Sequence, residues 1–242
     1  MELIDINSLI RQSSQTPDHG ERIAFISRWF LNRPYKANTL IGGIDRAELL
    51  VANLEELDCF TFLDYVEALR LSSAPEDFTG NLKRVRYKGG EVSFVARNHF
   101  FTDWIGQERG LVKDLTELVG GGAAVKEMKR LNQKADGSLF IPGILTRDRE
   151  ICYIPSDALE QGVLGRLSTG DYAGIYTPSE GLDVSHVGII VREGSGIIFR
   201  HASRDKGRVV DDDLCSYMKE KPGLLILRPI TPRSPSAPQH SS

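Results

Sequence analysis

The first clear periodic stretch spans residues 21–31, where Ile23, Phe25, Ile26, Phe30 and Leu31 recur close to helical spacing. Asn32-Arg33-Pro34 ends it, because the residue before a proline avoids the helical basin. A loop follows over 35–43, and 48–57 is apolar enough for either strand or helix. Residues 59–71 read as an amphipathic helix with Phe60, Leu63, Val66, Ala68 and Leu69 on its apolar face. The middle, about 75–155, is mixed: 98–108 and 112–118 look helical, and Gly120-Gly121-Gly122 is a break. From Asp171 onward the pattern becomes one of short strands at 171–176, 186–192 and 196–201, bounded by turn residues. Glu193-Gly194-Ser195-Gly196 is a hairpin signal between the last two. Residues 211–219 read as a helix with acids in its first turn, and 224–227 as a closing strand. Helices first and an antiparallel sheet second predict an α+β fold.

Composition narrows this. With 242 residues, 40% hydrophobic and 26% charged, the chain suits one globular domain with an elaboration. We expect an N-terminal extension at 1–20, a single domain at 21–230 and a tail at 231–242, where proline recurs among Ser, Ala and Gln. The net charge of −3 and the lack of a Lys/Arg stripe argue against a nucleic-acid partner. No apolar run is long enough to span a membrane. The start, Met-Glu-Leu-Ile-Asp, lacks the basic region of a secretory signal. Three cysteines are an odd set for a disulfide framework.

Chemistry concentrates at a few positions. Cys59 follows Asp58 at a predicted helix start, where free backbone N–H groups and the helix dipole favour a thiolate; a buried structural thiol is the plainer reading. His186 opens one predicted strand and His201 ends the next, so a hairpin about Gly194-Ser195 would bring them together near its open end. A cysteine nucleophile needs an imidazole base and a group to orient that base. A zinc site lacks the usual Cys and His spacings, and no cofactor is expected. Cys152 and Cys215 read as packing residues.

These motifs resemble a known family. Asp58-Cys59, Ser185-His186-Val187-Gly188-Ile189 and His201-Ala202-Ser203 look like the NlpC-type papain-like cell-wall hydrolases. Pro34-Tyr35, Asp58-Cys59-Phe60-Thr61-Phe62, Arg97-Asn98-His99-Phe100 with Asp103-Trp104, and Gly170-Asp171-Tyr172 resemble the N-acetylmuramoyl-L-alanine amidase-like branch. The resemblance covers about residues 22–230. It implies a papain-like core whose nucleophile helix packs on an antiparallel sheet, with a largely helical insertion between Cys59 and His186. It implies Cys59 as nucleophile, His186 as base and His201 as its orienter. Tyr35 would stand beside the thiol, and Asp58 would fix the helix start or bind a substrate amine. Asn98, His99, Trp104 and Ser185 are substrate-binding or supporting candidates.

The implied function is a cysteine hydrolase of peptidoglycan fragments, cutting either the muramoyl–L-Ala bond or the γ-D-Glu–diamino acid bond. A lipid or acyl transferase on the same layout and a catalytically silent wall-binding module are the alternatives. With no leader expected, recycling in the cytoplasm, delivery by a dedicated secretion system and a true start further upstream stay open.

Overall fold

The computed structural model describes residues 5–106 and 110–230, so the expected tail at 231–242 lies outside the described residues. In chain order the helices and strands are α1 (Ile6–Ser13), α2 (His19–Trp29), β1 (Ile41–Gly43), β2 (Arg46–Leu49), α3 (Cys59–Leu71), α4 (Asp77–Arg86), β3 (Val112–Asp114), α5 (Thr116–Gly120), β4 (Val125–Leu131) and β5 (Arg147–Pro155). They continue with α6 (Gln161–Leu164), β6 (Tyr172–Tyr176), β7 (Val184–Glu193), β8 (Gly196–Ser203), β9 (Arg208–Asp213), α7 (Leu214–Met218) and β10 (Gly223–Pro229).

An eight-stranded antiparallel sheet in the order β4-β5-β10-β6-β7-β8-β9, with β3 also on β10, forms the centre of the described residues. Both of its faces are covered. Tyr172, Val187, Ile189, Val191, Ala202 and Leu227 pack under α1, α2, α3 and α4. On the other face Ala173, Ile175, Ile190, Phe199 and Ile226 pack with Val119 of α5, Val163 of α6, and Leu214 and Met218 of α7. Burial on both faces is why β6, Tyr-Ala-Gly-Ile-Tyr, is apolar throughout instead of alternating. The fold is therefore α+β with an antiparallel sheet.

Helix α3 is more deeply set than an amphipathic surface helix: every residue from Thr61 to Arg70 is buried. Its charges survive there because each is partnered. Asp64 accepts from Arg86 Nε at 2.7 Å, and Glu67 pairs with Arg70 at 2.6 Å while accepting from the Tyr172 hydroxyl at 2.6 Å. α1, inside the expected N-terminal extension, also buries Leu9 and Ile10 in this core.

The insertion between Cys59 and His186 is not largely helical. Within 98–108 only a single 3-10 turn, Phe101–Trp104, forms among the described residues. The expected helix at 112–118 is split into β3 and the five-residue α5, because Val112 pairs with Pro229 on the sheet edge. The long hairpin β4–β5 has no counterpart in the sequence reading. β4, Val-Lys-Glu-Met-Lys-Arg-Leu, is an edge strand exposed along most of its length, so it carries no alternating apolar signal. Of 48–57, only the hairpin strand β2 is regular structure, and 211–219 is part strand: Asp211, Asp212 and Asp213 end β9, and Asp213 also caps α7.

Candidate active site

The start of α3 is built by its own residues. The Asp58 carboxylate accepts from Phe60 N at 3.0 Å and Thr61 N at 2.8 Å, while Thr61 Oγ1 accepts from Asp58 N at 2.9 Å. This reciprocal cap is worth about 1 kcal/mol and holds Cys59 as the first helical residue. Leu57, just upstream, accepts from Lys36 N at 3.0 Å and donates to Pro34 O at 3.2 Å, and Tyr35 N donates to Gly207 O at 2.9 Å. Tyr35 is thereby pinned beside the helix start, half-buried, with the charges of Cys59 and Asp58 both acting on its hydroxyl.

Backbone N–H groups of Val187, Cys59 and Phe60 all face the Cys59 sulfur. They favour a thiolate, but burial of the sulfur and the Asp58 carboxylate win, and the thiol is pushed up to about 12. The helix-start expectation of a lowered thiol pKa is thus overturned: desolvation outweighs the dipole.

Val187 follows His186, where β7 and β8 part. Their ladder runs from Glu193↔Gly196 to Ile189↔Arg200 and stops there. Just beyond, His186 Nε2 lies 2.8 Å from His201 Nδ1. Gly188 makes this possible: a Cβ there would stand 2.5 Å from the Phe199 ring. Phe199 crosses that space to stack on His201, with centroids 4.8 Å apart, and meets His186 edge-on. On the far side His201 Nε2 contacts Asp212 Oδ2 at 3.1 Å, and Asp212 Oδ1 pairs with Lys206. Partial burial opposes ionisation of Asp212, but Lys206 and His201 outweigh it and hold the carboxyl below its ordinary range.

An ionised Asp212 fixes the tautomers. His201 Nε2 carries the hydrogen given to Asp212, so His201 Nδ1 is the acceptor and His186 Nε2 the donor. His186 Nδ1 is left as a bare base. Burial, helped by the neighbouring His201 and Lys221 charges, pushes His186 down to about 3; burial also lowers His201 despite the opposing pull of Asp212.

The structure thus brings Cys59, Asp58, Tyr35, His186 and His201 to one place. It adds Asp212, Lys206 and Tyr217. The Tyr217 ring lies 5.0 Å from that of His201 and 4.8 Å from that of Phe199, and its hydroxyl feels the Cys59 charge. Asp212 was concealed in the expected helix; read as a strand, 208–213 puts it diagonally across from His201, within reach on one face.

The other candidates stand apart. Ser185 is exposed and its hydroxyl donates to Ile175 O at 3.4 Å. Asn98 is buried and donates to Val85 O at 2.8 Å, tying its loop to α4. His99 Nε2 lies 2.7 Å from Phe94 O, with its ring against Phe94. Trp104 is 0% exposed, wedged between Phe60 and Tyr172, so it supports the helix start from below. Among the described residues no group of three or more His, Cys, Asp or Glu is placed to hold a metal ion, and no helix is long and apolar enough to cross a membrane.

Fold and site together define an α+β protein in which a capped helix presents a half-buried cysteine to a histidine pair on an antiparallel sheet. A family model described as N-acetylmuramoyl-L-alanine amidase-like matches residues 25–224, and the chain belongs to that AmiA-like family. Among solved structures, a protein of Legionella pneumophila str. Philadelphia 1 is 25% identical with a TM-score of 0.78, over 94% of this chain and 95% of that one. An N-acetylmuramoyl-L-alanine amidase of Bacteroides uniformis is 26% identical with a TM-score of 0.73, over 88% of this chain and 99% of that one. No curated protein matches the sequence.

Proposed function

We propose that the protein is a cysteine-dependent amidase of the papain-like, NlpC-type kind, with residues 21–230 as its catalytic domain. It cleaves the bond between the muramoyl lactyl carbonyl and L-alanine in peptidoglycan fragments. The observation that carries the mechanism is the 2.8 Å His186–His201 contact backed by Asp212, which leaves a base beside the strand that meets the Cys59 thiol. The family description and the name of the Bacteroides uniformis relative support this bond over the γ-D-Glu–diamino acid bond.

In this reading His186 Nδ1 takes the Cys59 proton as the sulfur bonds to the amide carbonyl carbon. The carbonyl oxygen becomes an oxyanion, stabilised by backbone N–H groups at the helix start and by the Tyr35 hydroxyl. His186 then gives the proton to the L-alanine nitrogen as the C–N bond breaks, leaving a thioester on Cys59. A water, deprotonated by the same ring, attacks the thioester and releases the muramic acid carboxylate and the free thiol. His201 and Asp212 hold the His186 ring and its tautomer throughout.

Mass spectrometry of defined muropeptides tests this, using wild type, Cys59→Ala and His186→Ala proteins whose folding is checked by circular dichroism. Free stem peptide is expected from the wild type alone. Cleavage after γ-D-Glu would reassign the bond, and activity persisting in either folded variant would remove the mechanism.

A further inference from the structure

Lys221, in the turn after α7, rests its ammonium 5.2 Å from the centroid of the Tyr217 ring. That ring in turn lies 6.4 Å from His186 and 5.0 Å from His201. Two other cations near the histidine pair are held by carboxylates: Lys206 pairs with Asp212, and Arg200 with Asp211 at 2.7 Å. Lys221 has none among the described residues, although its charge reaches the His186 ring. An ammonium kept over an aromatic face beside a base is a costly neighbour for that base, since it opposes the imidazolium formed during the reaction. Such a placement is explained if an anionic group of the substrate covers it.

Direction follows from the reaction. His186 protonates the leaving nitrogen, so the leaving peptide extends on the His186 side of Cys59, where Tyr217 and Lys221 stand. In a muropeptide the second residue after the cleaved bond is a γ-linked D-glutamate, which keeps a free α-carboxylate. We propose that Lys221, carried on Tyr217, recognises this carboxylate and makes the site selective for acidic over α-amidated stem peptides. Lys221 is on this account a substrate-binding, specificity-determining residue of the leaving-group side. The inference rests on the amidase reading for its direction, but its binding site is testable without turnover.

The probes are N-acetylmuramoyl-L-alanyl-D-glutamate and its α-amide, N-acetylmuramoyl-L-alanyl-D-isoglutamine. They are titrated calorimetrically into Cys59→Ala protein and turned over by wild type. The acid is expected to bind about tenfold more tightly, the usual size for one charged hydrogen bond, and to show the difference in KM instead of kcat. Adding Lys221→Met, which keeps the stem and loses the charge, should bring the acid down to the level of the amide and leave the amide unchanged; Lys221→Arg should restore the preference. Equal binding of both probes by the parent protein would overturn the proposal, as would an equal loss for both in Lys221→Met. If the acid preference holds and depends on Lys221 but neither probe is hydrolysed, the carboxylate site stands and the amidase reading falls.

Discussion

His186 and His201 share one hydrogen across 2.8 Å, and Asp212 at 3.1 Å on the far side of His201 decides which ring owns it. The direction of that chain makes His186 a base with its outer nitrogen bare. Replacing Asp212 with Asn keeps the size but presents either an amide donor or a neutral acceptor, so the tautomer of both rings is released. Asp212→Asn should lower kcat by about 10²-fold or more, in the manner of other orienting carboxylates, with KM little changed. Steady-state kinetics on a muropeptide, with the thermal midpoint measured alongside, check this.

Acid should weaken the fold through the same rings. His186 is pushed down to about 3 in the folded protein, against an ordinary value near 6.5. The folded state therefore excludes a proton that the unfolded chain takes up below about pH 6.5. The stabilisation is whole above that pH and is lost progressively as pH falls toward 3, at up to about 1.4 kcal/mol per pH unit for one proton. Thermal midpoints between pH 7.5 and 4 should fall less steeply in His186→Gln than in the wild type; parallel curves would refute the assignment.

Cys59 should react slowly with iodoacetamide at pH 7, faster as pH rises above 9, because its thiol is pushed up to about 12. On the proposed mechanism, slow alkylation of the resting protein is compatible with catalysis, since His186 would remove the proton only during attack. Mass-spectrometric labelling rates against pH measure this, and rapid labelling at neutral pH would contradict the raised thiol pKa.

Gly188→Ala should damage activity by displacing the Phe199 ring that supports His201. The new Cβ meets the Phe199 ring at 2.5 Å and Arg200 O at 2.7 Å, and Phe199 is the plate on which His201 stacks. A cost of about 1–3 kcal/mol for overpacking is expected, together with a lower kcat; denaturant unfolding and kinetics separate the two.

Trp104→Leu and His99→Ala should behave as stability variants. Trp104 is enclosed between Phe60 and Tyr172, and its loss should cost about 3 kcal/mol or more. His99 anchors its loop to Phe94 O, and removing it should cost about 1–3 kcal/mol. At temperatures where both remain folded, KM should match the wild type; a raised KM in either would make it a substrate contact.

The local elements nearest the site were legible because their causes are local. The Asp58-Cys59-Phe60-Thr61 cap specifies its own helix start, and the turn at Gly194, with φ of +57°, specifies the hairpin that carries both histidines. The insertion was misread where pairing partners are remote: β3 is a strand because of β10, and β4 because of β5, and neither has an apolar period to announce it.

From sequence alone came the helix at Cys59, the hairpin, the α+β class and the approach of His186 to His201, all set by short-range backbone preferences and side-chain alternation. Tertiary structure alone decided the protonation of the site. The thiol sits high because a fold encloses its sulfur beside Asp58, His186 sits low because it is enclosed beside His201 and Lys221, and Asp212 reaches His201 only across a strand pairing. Desolvation and charge proximity depend on what surrounds an atom in space, and chain order does not carry that information.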